Sequence, residues 1–208
     1  MRWFASPAGQ ALLSSEWQLI AQQLRQRPGL PWLWLTPQLP PGLDTDPRGL
    51  ALAWDEDGEQ PRWQGVIRCG LPLPLPMESC ACVVLQHVAS ADRNAQALLA
   101  ETARVLIPGG WLLLLALNPL SPYRRHWLGS GLHAVEPLLW RRRLRDAGLA
   151  PEPVSQGLGP RWRIAVDSSL QQGAGIRAAY ALHAQKRHIP LTPLRQRRLL
   201  LATGKAGA

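Results

Sequence analysis

The chain has 208 residues, with 23 Lys and Arg against 14 Asp and Glu for a net charge of +9, a length that suits one well-buried domain with a tail and not two. Its longest apolar run, the seven residues Trp111 to Leu117, is far short of the ~20 that a membrane-spanning helix needs. Three cysteines, Cys69, Cys80 and Cys82, behind a start that does not read as a secretory leader, make the cytoplasm the expected compartment. No GxSxG, HExxH, GxxxxGK(S/T) or CxxC pattern occurs, so hydrolase, zinc-protease, nucleotide-triphosphatase and thioredoxin-like readings lose their usual support.

The charges are segregated. Six of the 14 acids lie between Asp44 and Glu59, whereas nothing acidic follows Asp167 and the chain closes on Lys186, Arg187, Arg195, Arg197, Arg198 and Lys205. Such a basic end attracts polyanions, so nucleic acid is a candidate partner for the tail, against the plainer reading of a solubilising segment.

In chain order, Leu12, Leu13, Trp17, Ile20 and Leu24 recur at helical spacing and predict a helix over 7–27, stopped by Arg27, Pro28 and Gly29. PWLWL at 31–35, GLALAW at 49–54 and GVIRC at 65–69 are short candidate strands between Pro, Gly and Asp clusters. ACVVLQ at 81–86 is a continuous apolar run of the kind buried on both faces of a parallel sheet. Asp92 then caps a helix over about 94–106 whose apolar face is Ala95, Leu98, Leu99, Thr102, Val105 and Leu106. Pro108, Gly109 and Gly110 turn the chain into the strand WLLLLAL, and the strand–helix–strand unit requires a right-handed crossover. Residues 133–147 suit a further helix with Leu138, Leu139, Leu144 and Ala147 inward, and WRIAVD at 162–167 and AAYALHA at 178–184 suit two late strands. One domain over 1–184, with 1–29 as an N-terminal helical segment, and an extended basic tail over 185–208 follow from this reading.

LPLPMES, VVLQHV, LLAETARVLIPGGWLLLLAL and NPLSP, in that order, resemble the class I S-adenosylmethionine-dependent methyltransferases, specifically the type 11 methyltransferase-like family. The resemblance covers roughly 30–122, is tightest from Leu73 onward, and rests on the joint order of the pieces. It implies an α/β fold: a Rossmann-like three-layer sandwich around a mostly parallel, seven-stranded sheet with an antiparallel last strand. It also implies S-adenosylmethionine as cofactor, lying across the carboxyl ends of the first four strands. The cofactor motif departs from the family's. TPQLPPG stands where a glycine-rich turn is expected after the first strand, and the acids expected near Cys69 and Ala81 are absent.

Donor contacts are therefore expected from Asp55, with Glu56 beside it, as ribose ligands, and from the chain at Leu35, Thr36, Cys69, Gly70, Leu71 and Gln86. His87 and Asn118, at the ends of two strands, are the candidate catalytic residues facing an unknown acceptor, small or macromolecular. Each has a plainer counterpart: a solvated acidic turn for Asp55, Glu56 and Asp57, a structural histidine for His87, a strand stop for Asn118 and Pro119. Cys80 and Cys82, two apart, are expected on one strand face as small buried hydrophobes, with no metal site. Arg124, Arg125, His126 and Trp127, with Arg141 to Arg143, form either a basic, aromatic rim or a solvated face. Three functions stand open: methyl transfer, a silent methyltransferase-like binding partner, and nucleic-acid binding through the basic arm.

Overall fold

The computed structural model describes residues 2–40, 48–56, 62–89 and 93–187. Asp57, the Asp92 cap and most of the basic tail lie outside them. After a short 3-10 turn at Arg2–Ala5, helix α1 spans Pro7–Arg25, with the Ser6 hydroxyl accepting from the Gly9 amide and proline at the first helical position. The strands are β1 (Trp32–Thr36), β2 (Gly49–Asp55), β3 (Arg62–Gly65), β4 (Arg68–Cys69), β5 (Cys80–Gln86), β6 (Leu106–Leu117), β7 (Leu149–Pro151), β8 (Gln156–Leu158), β9 (Gln171–Gln172) and β10 (Ala179–Lys186). Among the described residues, helices α2 (Arg93–Val105) and α3 (Pro137–Asp146) follow, with a second 3-10 turn at Pro122–His126.

All ten strands join one sheet in the order β4-β3-β2-β1-β5-β6-β10-β8-β9, with β7 also on β10. The central pairings β2–β1, β1–β5 and β5–β6 are parallel, and β10 runs antiparallel to β6. Alternation along the central strands feeds two separate cores. Leu33, Leu35, Val83, Leu85, Leu112 and Leu114 pack with Leu98 and Leu99 of α2 and Trp140 and Leu144 of α3. Trp32, Trp34, Val84, Leu113 and Leu115 face the other way, onto Leu12, Leu19 and Ile20 of α1. The three-layer α/β sandwich expected from the sequence is therefore present, but with ten strands among the described residues where seven were expected, and with parallel pairing confined to the four central strands β2, β1, β5 and β6.

Several local expectations are corrected. The strand expected at 65–69 is instead the hairpin of β3 and β4, antiparallel to each other and to β2. The links 56–61 and 66–67 are too short for a parallel crossover, which takes a dozen or more residues, and Gly65 N–H closes the tight turn on Ile67 O at 3.0 Å. Residues 162–167 form no strand. Trp162, Ile164 and Val166 do alternate, but they are 53, 49 and 61 % exposed, because the edge of β10 they would pair with is taken by β7 and β8.

Helix α3 starts at Pro137 behind Glu136, later than expected. Its inward residues are accordingly Trp140 and Leu144, one turn apart, while Leu138 and Leu139 are exposed. The Pro108-Gly109-Gly110 step lies inside β6, opposite a register shift between Cys80 and Cys82. That shift sends Cys80 into one core and Cys82 into the other, instead of onto one face. Burial raises both thiols, Cys82 to about 12, as suits packed hydrophobes. Among the described residues no helix is long and apolar enough to cross a membrane, and no cluster of His, Cys, Asp and Glu could hold a metal ion.

Candidate functional site

The carboxyl ends of β2, β5 and β6 open onto a cavity of about 780 Å³, within the range of small-molecule sites. Its polar groups come from separated stretches. Glu56 leaves β2, Gly70 and Leu71 leave β4, His87 leaves β5, and His133 lies in the loop before α3. The walls between them are apolar and aromatic. Trp54 of β2 and Trp63 of β3 contact edge-to-face at 4.8 Å, Trp140 comes from α3, and Phe4 comes from the N-terminal turn.

His87 has a left-handed backbone, φ 53°, rare for a non-glycine residue. The conformation is held by its amide on Leu115 O at 3.0 Å and by the ring, which stacks on Phe4 at 5.1 Å and pairs through Nε2 with Glu16 Oε1 at 2.7 Å. Glu16, on α1, is completely buried. Its second oxygen accepts from Gln86 Nε2 at 2.7 Å. Gln86 is fixed in turn, its Oε1 accepting from Trp34 Nε1 at 3.2 Å and from the Thr36 hydroxyl at 2.9 Å. His87 Nδ1 is buried without a hydrogen-bond partner.

Of the residues expected from the sequence, the fold brings Glu56, Gly70, Leu71 and His87 to this one cavity. Leu35 is packed in the core, and Thr36 and Gln86 are buried in the network at the end of β1. Gln86 also borders a second cavity of about 420 Å³ between α1 and the chain after β1. Asp55 is the last residue of β2, in register with Arg62, and is not part of the main cavity wall. Cys69, its thiol raised by burial, sits one residue before that wall. Asn118 is buried elsewhere: its amide donates to Ala174 O at 3.3 Å and to Gly175 O and Arg177 O at 2.9 Å, fastening the approach to β10. Glu16, Phe4, Trp63 and Trp140 escaped the sequence reading as site residues. For Glu16 one signal exists, a carboxylate at the centre of an apolar stripe, four residues from both Leu12 and Ile20.

The residues around the cavity fit an adenosyl group. Glu56 could hold ribose hydroxyls, the Trp54–Trp63 pair gives one apolar wall, and a side chain built at Gly70 would meet nothing within 4 Å, so ligand could approach backbone there. At the end of β1, where the sequence lacks a glycine turn, stands the side-chain network of Trp34, Thr36 and Gln86.

Residues 36–114 match the family model of a methyltransferase domain. Curated proteins return no match. Among solved structures, the chain is similar to a Thermotoga maritima SAM-dependent methyltransferase described as a possible histamine N-methyltransferase, at 16% identity and TM-score 0.59, covering 89% of this chain and 94% of that one. A SAM-dependent methyltransferase from Mesorhizobium loti is similar at 16% identity and TM-score 0.52, covering 82% and 97%. One from Archaeoglobus fulgidus is similar at 13% identity and TM-score 0.53, covering 84% and 93%. At these identities the structural likeness speaks to fold. Sequence match and fold agree with the resemblance carried by the motifs: residues 36–114 form a type 11 methyltransferase-like region within a class I S-adenosylmethionine-dependent methyltransferase fold.

Proposed function

We propose that this chain is an S-adenosylmethionine-dependent methyltransferase whose donor and acceptor share the cavity at the strand ends. The convergence of Glu56, Gly70, Leu71 and His87 on one open space of about 780 Å³ carries the reading. S-adenosylmethionine, when bound, supplies an electrophilic methyl group. Glu56 would bind ribose hydroxyls and the Trp54–Trp63 pair would form one apolar wall beside the adenine, while backbone at Gly70 and Leu71 would complete the contact. His87 faces the acceptor, and the surrounding Phe4, Val88, Leu117 and Trp140 keep water away from the reacting groups. Alignment supplies most of the rate in such a displacement, with one proton to be received.

Calorimetric titration with S-adenosylmethionine and S-adenosylhomocysteine tests the proposal. A carboxylate hydrogen bond contributes about 1.5–3 kcal/mol, so Glu56→Gln should weaken binding roughly 10- to 100-fold. Absence of heat and of any thermal shift at millimolar ligand removes it. One observation favours a second reading, a methyltransferase-like protein that binds a partner and no donor: Trp34, Thr36 and Gln86 fill the end of β1, where a glycine turn would meet the donor. That same null result would select it.

A further inference from the structure

We propose that Glu16 and His87 form a carboxylate–imidazole dyad in which Glu16 fixes the ring tautomer and His87 Nδ1 accepts the hydroxyl proton of an aromatic, phenol-type methyl acceptor. The inference rests on the methyl-transfer reading and assigns its proton acceptor and acceptor class.

One directed chain of hydrogen bonds fixes the tautomer. An indole nitrogen only donates, so Trp34 Nε1, 3.2 Å from Gln86 Oε1, settles which end of that amide is oxygen. Gln86 Nε2 must then donate to Glu16 Oε2, at 2.7 Å. The remaining oxygen, Glu16 Oε1, lies 2.7 Å from His87 Nε2. A carboxylate fully removed from water requires donors on both oxygens. His87 Nε2 therefore carries the proton, and in the neutral ring Nδ1 carries the lone pair. Nδ1 has no protein partner, and the ring forms part of the cavity wall.

The wall beside the His87 ring selects the acceptor. Phe4 is stacked on the His87 ring at 5.1 Å, and Trp140 lines the same cavity. An apolar, aromatic wall beside the imidazole suits an aromatic ring bearing a hydroxyl. In the reaction the acceptor oxygen bonds to the donated methyl carbon while its O–H proton passes to Nδ1. The electron pair of the broken methyl–sulfur bond stays on the donor's sulfur. The positive charge that leaves the sulfonium thus ends on the imidazole, 2.7 Å from the Glu16 carboxylate. Glu16 is a positioning residue and touches neither reactant.

Glu16→Gln makes a specific demand. Gln86 cannot flip, because Trp34 holds its oxygen, so the new amide must turn its own oxygen to Gln86 and its N–H groups to His87 Nε2. The imidazole proton then moves to Nδ1. Nitrogen-15 NMR of labelled protein, with His87→Phe to assign the signal, reads this without turnover. In the wild type Nδ1 should be the unprotonated nitrogen, and millimolar phenol should shift its resonance. In Glu16→Gln, Nδ1 should be protonated and that shift lost. A wild-type proton on Nδ1, or an Nδ1 resonance that phenol leaves in place, overturns the dyad. These wild-type measurements decide the matter even if the variant fails to fold. Titration of the same sample with S-adenosylmethionine separates the two claims: no donor binding beside the expected tautomer and phenol response removes the methyltransferase reading alone.

Discussion

Replacing Arg104 by alanine should destabilise the protein and loosen one wall of the cavity. On α2, Arg104 Nε and Nη2 donate to the two oxygens of Glu101 at 3.0 and 2.9 Å, while Nη1 and Nη2 donate to Leu75 O and Leu73 O at 2.8 and 3.0 Å. Glu101 also accepts the Leu73 amide at 2.9 Å. The pair thus pins residues 73–75, just after the wall residue Leu71. Fully buried, charged bonds of this kind contribute about 1.5–3 kcal/mol each, but the two side chains are 29 and 16 % exposed. Solvent screens them and water can replace part of what is lost, so the expected cost is about 2–3 kcal/mol in total.

The hydrogen bonds from Arg104 chiefly hold the Glu101 carboxyl below its usual range. A carboxylate depressed in the folded state stabilises above its unfolded pKa, about 4.3, and the contribution disappears as pH falls through the lower folded value. Urea unfolding of the wild type and Arg104→Ala should therefore show the full difference at neutral pH and a smaller one in acid. A difference under about 0.5 kcal/mol at neutral pH, or one unchanged in acid, refutes the reasoning.

Trp140→Ala should cost about 3–5 kcal/mol by urea titration, since the indole is buried in the core against α2 and the sheet. Gly110→Ala should lower the melting temperature, because its new methyl would meet Ile107 O at 2.8 Å and Ala81 O at 3.2 Å. Gly70→Ala, with nothing within 4 Å, should leave the melting temperature unchanged and weaken S-adenosylmethionine binding by calorimetry. At pH 8, Cys82, whose thiol burial pushes up to about 12, should resist a disulfide reagent in the native protein and react in urea.

The central architecture was legible because parallel strands buried on both faces must be continuously apolar. ACVVLQ and WLLLLAL, separated by one amphipathic helix, leave few alternatives, and they form β5, α2 and β6. The failures share a cause. GVIRC and WRIAVD have strand-like composition, but pairing depends on link length and on which edge is vacant: the first joined a hairpin, and the second found β10 already paired with β7 and β8.

By itself the sequence determined a Rossmann-like sheet, a departure from the donor motif after β1, and the strand-end residues Glu56, Gly70, Leu71 and His87 as candidates. Tertiary structure alone decided that these four meet, that Asn118 fastens the loop before β10, and that Glu16 stands behind His87 across 71 residues of chain. Local spacing records which face of a helix is buried. The partner that a buried carboxylate finds there is set by how α1 docks on the sheet, and no linear pattern encodes that contact.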